Sequence, residues 1–428
     1  MTTEKPPGDD RFAHPGRLLR HEEAIALLKA RIGPVTGVET VALAAAGGRI
    51  VAEPIVAGHP VPAHTNSAVD GYAFEHKSYA AGRSVLPVHG RAAAGHPLAT
   101  RPPSGTAVRI FTGAVMPDGL DTVAMQEDTR EVEDSGARAV QLPAGLEAGA
   151  NVRLPGEDVR TGTELFETGS LLRPQDLAAL ASIGVGSVRC YKRLRVAVVS
   201  TGDEVIRPGE RLLVPGEVYD ANAPMLGALA TLSGAEATSL GIWPDEPGLI
   251  RTRLAEAARR FDLILTSGGA SKGEEDHMSS ALAALGHRHF WQIAVKPGRP
   301  MMLGQIGPAI VAGLPGNPVA VFVCFLMYVA PMLKALGGAP WHEPRRYRLP
   351  AAFAFPKRKP GRREFWRGMI VETPKGLAVD KYARDGSGLI SGLRAADGLI
   401  DMPEHIGPVA PGDFVSYIPF LEFGIVGA

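Results

Sequence analysis

The pattern of hydrophobic residues in the N-terminal part of the chain predicts a helix, a long β-rich stretch and a second helix. Between Leu18 and Ile32 the apolar positions recur at helical spacing. From Val38 to about Leu172, short apolar runs are separated by turn residues, which is typical of β-strands. A helix is then predicted from Arg173 to about Ile183, because Pro174 fits the first helical turn, where its missing N–H is harmless.

A different pattern begins near Leu194. Arg195–Ser200 is a continuous apolar run, as expected for a strand covered on both faces. Strands and helices then alternate, with strands near 195–200, 236–242, 261–266, 290–295 and 309–312 and helices near 220–233, 245–260, 276–285 and after Pro318. This alternation predicts a parallel, doubly wound, three-layer α/β domain. After Trp341, short strands separated by Gly and Pro predict a small β-barrel or sandwich.

The composition indicates several domains and no general affinity for nucleic acid or membranes. A length of 428 residues favours about three domains. The 45 Lys and Arg residues balance the 45 Asp and Glu residues, so any recognition of anions must be local. Cys190 and Cys324 are too few for a disulfide framework. The apolar stretch Pro318–Leu336 contains Pro331 and Lys334, which favours a buried helix over a membrane span. No apolar signal segment opens the sequence, so we expect a cytoplasmic protein.

Polar loops follow four of the predicted strands. They are Thr201–Glu204, Trp243–Asp245, Ser267–Asp276 and Gly313–Pro318. Ligands of open parallel sheets bind beyond the carboxyl ends of the strands, so we expect these loops to share one rim and to carry the site.

Glycines in two of these loops favour the binding of a phosphate. Gly268 and Gly269 allow the backbone to approach a ligand closely, although a Gly-Gly pair after a strand is more often only a turn. Gly316 and Asn317 lead into a helix whose free N–H groups attract phosphate or carboxylate.

Carboxylates on the same rim indicate a divalent cation. Glu204, Asp245 and Asp276 would repel a phosphate unless a cation bridged them, and Mg²⁺ binds carboxylates together with substrate phosphates. Lys296 would add a positive charge for an anion. Taken singly, Asp245 and Asp276 could equally cap helices, and Glu204 could be a solvated loop residue. Their shared rim favours the phosphate and metal site.

Nine short motifs, in this order along the chain, make it resemble the molybdopterin molybdenumtransferase family, which includes bacterial MoeA proteins and the E domain of gephyrin. The motifs are Asn66–Ala73, Arg109–Ala114, Arg153–Asp158, Ser200–Glu204, Thr266–Asp276, Val295–Pro300, Gly313–Pro318, Arg363–Gly368 and Gly386–Gly388. Any one of them is weak evidence, but nine in the family's order are highly specific.

The resemblance implies a homodimer of chains with four structural units. Residues 18–57 and 163–193 would form a linking domain, and residues 58–162 would form a β-rich lobe inserted between these segments. Residues 194–341 would form the molybdopterin-binding α/β domain, and residues 342–428 a small β-barrel.

The resemblance also implies the reaction and the site. Family enzymes bind adenylylated molybdopterin, use Mg²⁺ and molybdate, and release AMP. Asp70 and Thr112 would reach the site from the β-rich lobe, across the dimer. The implied Mg²⁺ ligands are Glu204, Asp245 and Asp276, and the implied anion pocket is Lys296, Arg367 and Ser387. The implied substrate-binding positions are Gly202, Ser267, Gly268, Gly269, Ser271, Gly316 and Asn317.

Three departures from the family pattern leave all the implied site carboxylates in place. Gln292 stands where the family often has Lys or Arg, and Lys272 is a potential replacement for that charge. Thr65 replaces the usual Asp before Asn66, and Ala320 replaces a usual Ser. Two alternative functions stay open: adenylylation of molybdopterin, and a non-catalytic scaffold of the gephyrin type. If the chain is the transferase, we expect a transient contact with a separate adenylyltransferase.

Overall fold

The computed structural model describes residues 11–12, 18–134, 136–268 and 277–427. The first helix of the described chain is His21–Arg31, and its apolar side packs into the largest hydrophobic core. The observed helix is shorter at its N-terminus than the spacing predicts, since Leu19 instead forms a backbone bridge with Ile293.

Two segments that are distant in the sequence fold together. Strand Val38–Ala42 pairs antiparallel with Ser187–Tyr191, and strand Ile55–Val56 pairs with Glu164–Phe166. Helix Pro174–Ser182 packs on them and agrees with the sequence prediction. Its start is stabilised because the Asp176 carboxylate accepts a hydrogen bond from the backbone N–H of Arg173 at 2.8 Å.

The chain between these segments forms a β-rich lobe. Its six-stranded sheet has the order Thr122–Met125, Gly71–Phe74, Ala107–Ile110, Val85–Ala92, Ala137–Gln141 and Arg130–Asp134. The lobe also contains the strand pair Asn66–Ser67 and Val152–Arg153 and the short helix His76–Ala80. Gly71 is required in this sheet, because a Cβ atom there would lie 1.8 Å from the carbonyl oxygen of Ala124.

A second six-stranded sheet forms the centre of the α/β unit. Its order is Glu236–Trp243, Arg195–Thr201, Leu263–Ser267, Ala309–Leu314, Pro300–Ile306 and His287–Gln292. The first four strands are parallel, so the loops that follow them leave the sheet at one edge, as predicted.

The last two strands correct the prediction of an all-parallel sheet. Pro300–Ile306 pairs antiparallel with both Ala309–Leu314 and His287–Gln292. The sequence pattern did not predict the strand Pro300–Ile306, and it placed the strand His287–Gln292 near 290–295. The reason is local: Gly307 and Pro308 form a two-residue hairpin turn, which the α/β alternation does not include.

Helices cover both faces of this sheet, which gives the three-layer α/β architecture. Alternate residues of the strand Arg195–Thr201 point to opposite cores: Val196 and Val198 to one, Ala197 and Val199 to the other. The first core contains the helices Asn222–Leu232, Pro318–Cys324 and Ala330–Leu336, and the second contains Pro247–Arg260 and His277–Leu285.

The apolar segment Pro318–Leu336 lies inside the protein. It is long and apolar enough to cross a membrane, but 94% of its 18-residue apolar window is buried. The helix is not regular, because Phe325–Val329 forms a π-helical turn before the last segment. Pro331 explains this irregularity, since proline lacks an N–H and its ring crowds the carbonyl four residues earlier.

The C-terminal unit is built on a sheet of mixed strands. Along this sheet the order is Val295–Lys296, Arg363–Thr373, Gly398–Met402, Phe414–Pro419 and Tyr347–Pro350, and Gly376–Lys381 also pairs with Arg363–Thr373. Helix Ile390–Ala395 lies beside it. The pairing of Lys296 with Glu364 joins this sheet to the α/β unit and places the two polypeptide segments at a common boundary.

Candidate active site at the boundary of the α/β unit and the C-terminal sheet

A cavity of about 610 Å³ opens at this boundary. Six residues singled out in the sequence line it: Gly268, Lys296, Gly316, Asn317, Arg367 and Ser387. They come from the strand-tip loops of the α/β unit and from the C-terminal sheet. This volume is typical of small-molecule sites.

Lys296 is held at the mouth of the cavity by the strand pairing. Its ammonium nitrogen lies 3.7 Å from Oε2 of Glu364, and the indole N–H of Trp366 donates to the same oxygen at 2.9 Å. The Lys296 side chain is 49% exposed, so the ammonium can also contact a ligand. The turn that follows is tight, because Gly298 has φ of 101° and a Cβ there would lie 2.3 Å from Sγ of Cys324.

Arg367 is buried and shapes the loop that carries Ser387. Its guanidinium donates to the carbonyl oxygen of Leu389 at 3.0 Å and to that of Arg384 at 2.7 Å. It also lies over the ring of Tyr382, 5.1 Å from the centroid. Burial lowers the pKa of Arg367 below its usual range. Because both bonds reach the backbone on either side of Ser387, Arg367 fixes the position of this loop.

The same loop contacts the helix that begins at Pro318. The backbone N–H of Val319 donates to the carbonyl oxygen of Ser387 at 2.9 Å. The prediction that this helix start offers free N–H groups therefore needs a correction, since the loop occupies one of them. Asn317 precedes the helix, and no side-chain hydrogen bond caps it.

A buried polar network fixes two of the strand-tip loops. The amide nitrogen of Asn222 donates to the hydroxyl of Ser267 and to the carbonyl of Gly316, both at 2.7 Å. The Asp220 carboxylate accepts from the hydroxyl of Ser200 at 2.6 Å and from the backbone N–H of Asn222 at 3.2 Å. Ser267 is thus engaged in the network and does not line the cavity. The sequence reading treated Asp220 and Asn222 only as a helix start, so their role in positioning the loops was missed.

Carboxylates gather beside the next two strand ends. The backbone N–H of Asp245 donates to the carboxylate of Asp203 at 3.2 Å. Burial raises the pKa of Asp245, and the charges of Asp203 and Glu204 raise it further. Gly202 has φ of 128°, and a Cβ there would lie 2.5 Å from the Glu204 carboxylate. Asp203 was not among the predicted residues, although it lies in the predicted loop.

The predicted metal ligands are only partly placed. Among the described residues, no group of three or more His, Cys, Asp or Glu side chains is arranged to hold a metal ion. Asp276, Gly269 and Ser271 lie outside the described residues. The described part of the rim contributes Asp203, Glu204 and Asp245 as oxygen donors.

Asp70 and Thr112 lie together in the β-rich lobe. The Asp70 carboxylate accepts hydrogen bonds from the backbone N–H and the hydroxyl of Thr112, both at 2.7 Å. These bonds lower the pKa of Asp70. Neither residue lines the cavity within a single chain.

Lys381 and Asp385 line the cavity but were not among the predicted site residues. Lys381 donates to Asp385 at 2.6 Å, and its side chain is only 8% exposed. Its ammonium also lies 5.6 Å from the ring centroid of Trp366. Only the pairing of the strands Gly376–Lys381 and Arg363–Thr373 brings Lys381 to the cavity, so no local motif indicated it.

An α/β unit with polar strand-tip loops, facing a β-sheet that supplies cations, defines an enzyme that binds an anionic small molecule. Comparison with known families identifies it further. Residues 19–184 match the profile described as "MoeA N-terminal region (domain I and II)". Residues 197–335 match "Probable molybdopterin binding domain", and residues 348–420 match "MoeA C-terminal region (domain IV)".

Individual relatives agree with these profiles. The molybdopterin molybdenumtransferase of Haemophilus influenzae is 36% identical over 387 residues, which cover 90% of this chain and 94% of the relative. Gephyrin of Dictyostelium discoideum is 28% identical over 74% of this chain and 49% of its own length. The crystal structure of the molybdopterin biosynthesis MoeA protein from Pyrococcus horikoshii OT3 superposes with a TM-score of 0.80 at 28% identity, covering 94% of this chain and all of that one. The chain belongs to the molybdopterin molybdenumtransferase family.

Proposed function

We propose that this chain is a transferase of molybdenum cofactor synthesis that inserts molybdate into adenylylated molybdopterin and releases AMP. Similarity to enzymes named molybdopterin molybdenumtransferase over nearly the whole chain supports this activity. The observation that carries the proposal is that Lys296, Asn317 and Ser387, from three separate stretches of the sequence, line the same cavity. We place the reaction in the cytoplasm.

Molybdate is a tetrahedral dianion, and the cavity offers donors that suit it. Lys296 supplies an exposed ammonium, and Ser387 supplies a hydroxyl. Arg367 uses one N–H on each of its two terminal nitrogens to hold the loop, so other N–H groups of its guanidinium remain for an oxyanion. A cationic group and a hydroxyl next to a helix start form a suitable pocket for such an anion.

We propose a magnesium site that the described carboxylates Glu204 and Asp245 form only in part and that Asp276, outside the described residues, would complete. Burial raises the pKa of Asp245, the charges of Asp203 and Glu204 raise it further, and a bound cation would oppose the rise by favouring the ionised carboxylate. Oxygen donors are the ligands that Mg²⁺ prefers, and Glu204, Asp245 and Asp276 are the proposed set. When bound, Mg²⁺ would act as a Lewis acid on the diphosphate of the substrate.

We infer a homodimer with a shared site. Asp70 and Thr112 do not line the cavity of their own chain. Two hydrogen bonds from Thr112 orient the Asp70 carboxylate and lower its pKa, which would suit a contact with a ligand bound in the partner. The β-rich lobe would therefore contribute them to the cavity of the partner.

The proposed activity is tested by supplying purified adenylylated molybdopterin, molybdate and Mg²⁺ and measuring molybdenum in the extracted pterin. We expect one molybdenum per pterin and loss of this incorporation when Mg²⁺ is chelated. Incubation with ATP, Mg²⁺ and molybdopterin is the control for the adenylyltransferase alternative. Accumulation of adenylylated pterin there, without molybdenum transfer in the first assay, would contradict the proposal.

The shared site is tested by mixing two inactive variants, Asp70→Asn and Glu204→Gln. If the site combines residues from two chains, mixed dimers regain one intact site, so activity recovers to about a quarter of wild type when random exchange produces half mixed dimers. No recovery after proven subunit exchange would show that the two residues act within one chain.

A further inference from the structure

A second cavity, of about 530 Å³, adjoins the candidate active site and shares Lys296 with it. Its lining is unusually basic for a chain with equal numbers of acidic and basic residues. The lining cations are Lys296, Arg299, Lys357, Arg358, Lys359 and Arg362, and the single lining carboxylate is Glu364. Six cations against one carboxylate make this cavity a local positive site.

Arg358 is a buried part of the cavity wall, held in place by hydrogen bonds to the backbone. The residue is 4% exposed, and one terminal nitrogen, Nη2, donates to the carbonyl oxygens of Met402 at 3.0 Å and Pro403 at 2.8 Å. Its Nε and Nη1 atoms are buried and have no hydrogen-bond partner among the described residues, and the guanidinium lies over the ring of Trp366, 5.9 Å from the centroid. These contacts fix Arg358 in the cavity wall, where its charge adds to that of the exposed lysines and arginines.

The remaining cations are available to an anion. Lys357, Lys359, Arg362 and Arg299 are exposed, and within the described part of the chain none of them forms an ion pair. Glu364 contacts Lys296, accepts a hydrogen bond from Trp366 and also acts on the charge of Arg358, so this one lining carboxylate is shared between two of the six cations.

One further carboxylate faces this region. Burial lowers the pKa of Arg358, and the charges of Glu364 and Glu404 oppose this effect. The Oε1 atom of Glu404 is buried and has no hydrogen-bond partner within the described part of the chain. Glu404 therefore offsets part of the charge of Arg358, and the exposed lysines and arginines keep the cavity positive.

We propose that this second cavity binds the phosphate group of a small molecule, separately from the anion pocket around Ser387. A phosphate has several acceptor oxygens and a double charge, which matches exposed lysine and arginine side chains arranged around the fixed charge of Arg358. The volume fits a nucleotide or a diphosphate. A concave site in a chain without net charge favours a small anion over a long polyanion. The inference goes beyond the transferase activity and does not depend on it.

The location of the site is tested on the wild-type chain by chemical labelling. Lysines are acetylated briefly with and without pyrophosphate, and the labelled peptides are quantified by mass spectrometry. Pyrophosphate should slow labelling of Lys357 and Lys359 by about threefold or more, while exposed Lys375 serves as the internal control. If Lys357 and Lys359 are labelled as fast with saturating pyrophosphate as without it, the proposal is overturned.

Affinity is tested with a matched pair of charge variants. The triple variant Lys357→Ala, Lys359→Ala, Arg362→Ala removes three exposed cations and leaves the backbone contacts of Arg358 intact. The control Arg251→Ala, Arg259→Ala, Lys375→Ala removes the same charge elsewhere. By calorimetry, pyrophosphate binding should weaken about tenfold in the first and by less than about twofold in the second. Equal weakening in both would mean a general charge effect and would overturn the site.

The nature of the phosphate compound follows from three probes. AMP, pyrophosphate and adenosine are titrated under the same salt conditions into the wild-type chain and into the variant Lys357→Ala, Lys359→Ala, Arg362→Ala. Only the binding that this variant loses is assigned to the second cavity, because AMP is also the proposed product of the active site. Tighter binding of AMP indicates a nucleotide, and tighter binding of pyrophosphate indicates recognition of the phosphates alone. Adenosine should not bind measurably, and binding of adenosine as tight as that of AMP would contradict phosphate recognition.

Discussion

Replacing Arg367 by Lys separates its contact with the loop from its contact with a ligand. Lysine keeps the positive charge but lacks the planar fork that reaches two carbonyl oxygens at once. At least one of the bonds to Arg384 and Leu389 should be lost, and a hydrogen bond to a charged donor contributes about 1.5–3 kcal/mol. The free energy needed to open the loop that carries Ser387 should then decrease by the same amount, so the loop opens more often.

The backbone N–H of Val319 reports this opening, because it donates to the carbonyl oxygen of Ser387. A loss of about 1.5–3 kcal/mol corresponds to exchange of this amide about ten- to hundredfold faster. Hydrogen exchange, resolved to Val319 by fragmentation or NMR, measures it directly. The matched control is Ser387→Ala, which leaves the backbone carbonyl in place and should leave the exchange rate of Val319 unchanged.

Activity and exchange together decide the role of Arg367. We expect Arg367→Lys to lose molybdenum transfer and to speed the exchange of Val319, and Ser387→Ala to lose transfer alone. If Arg367→Lys abolishes transfer while the Val319 amide exchanges at the wild-type rate, Arg367 acts only on the ligand and the account of the loop is wrong.

Three further predictions follow from other contacts. Burial lowers the pKa of His21 to about 4, so below about pH 6.5 the unfolded chain takes up a proton that the folded chain does not. As the pH falls from about 6.5 to about 4, the free energy of unfolding should decrease by about 1.4 kcal/mol per pH unit. Chemical unfolding of His21→Gln should lack this part of the pH dependence. Gly298→Ala should destabilise the fold by about 1–3 kcal/mol through its positive φ and its contact with Cys324, and adding Cys324→Ala should restore only part of the loss of melting temperature. Asp70→Asn should reduce transfer about a hundredfold with only a small loss of melting temperature, because the amide oxygen of Asn can still accept from Thr112. Equal activity of variant and wild type would remove Asp70 from the site.

The alternation of strands and helices after Leu194 predicted the parts of the fold that depend on local periodicity. The four parallel strands were found because three of them are buried apolar runs, and the edge strand Glu236–Trp243 lies between two segments with helical patterns. The strand Pro300–Ile306 was missed because its partner in the hairpin lies only two residues away, and that arrangement breaks the alternation. Because the two hairpin strands are so close in sequence, the pattern did not indicate that the sheet has antiparallel strands at this edge.

The candidate site was predictable wherever loops follow parallel strands or motifs mark the residues. Gly316 and Asn317 lie at the cavity for the first reason, and Ser387 was found through its motif. Lys381 could not be predicted, because its place depends on strand register in the C-terminal sheet. The network of Asp220 and Asn222 was equally hidden, since it forms only when distant loops meet.

The dependence of AMP release on molybdate tests the central claim most directly. Purified chain, Mg²⁺ and adenylylated molybdopterin are mixed with and without molybdate, and AMP is quantified over time by chromatography. The account predicts rapid release of AMP only when molybdate is present, and loss of this stimulation in Ser387→Ala. AMP release that is equally fast without molybdate, or absent in both conditions, would contradict a site that holds an oxyanion beside the activated pterin.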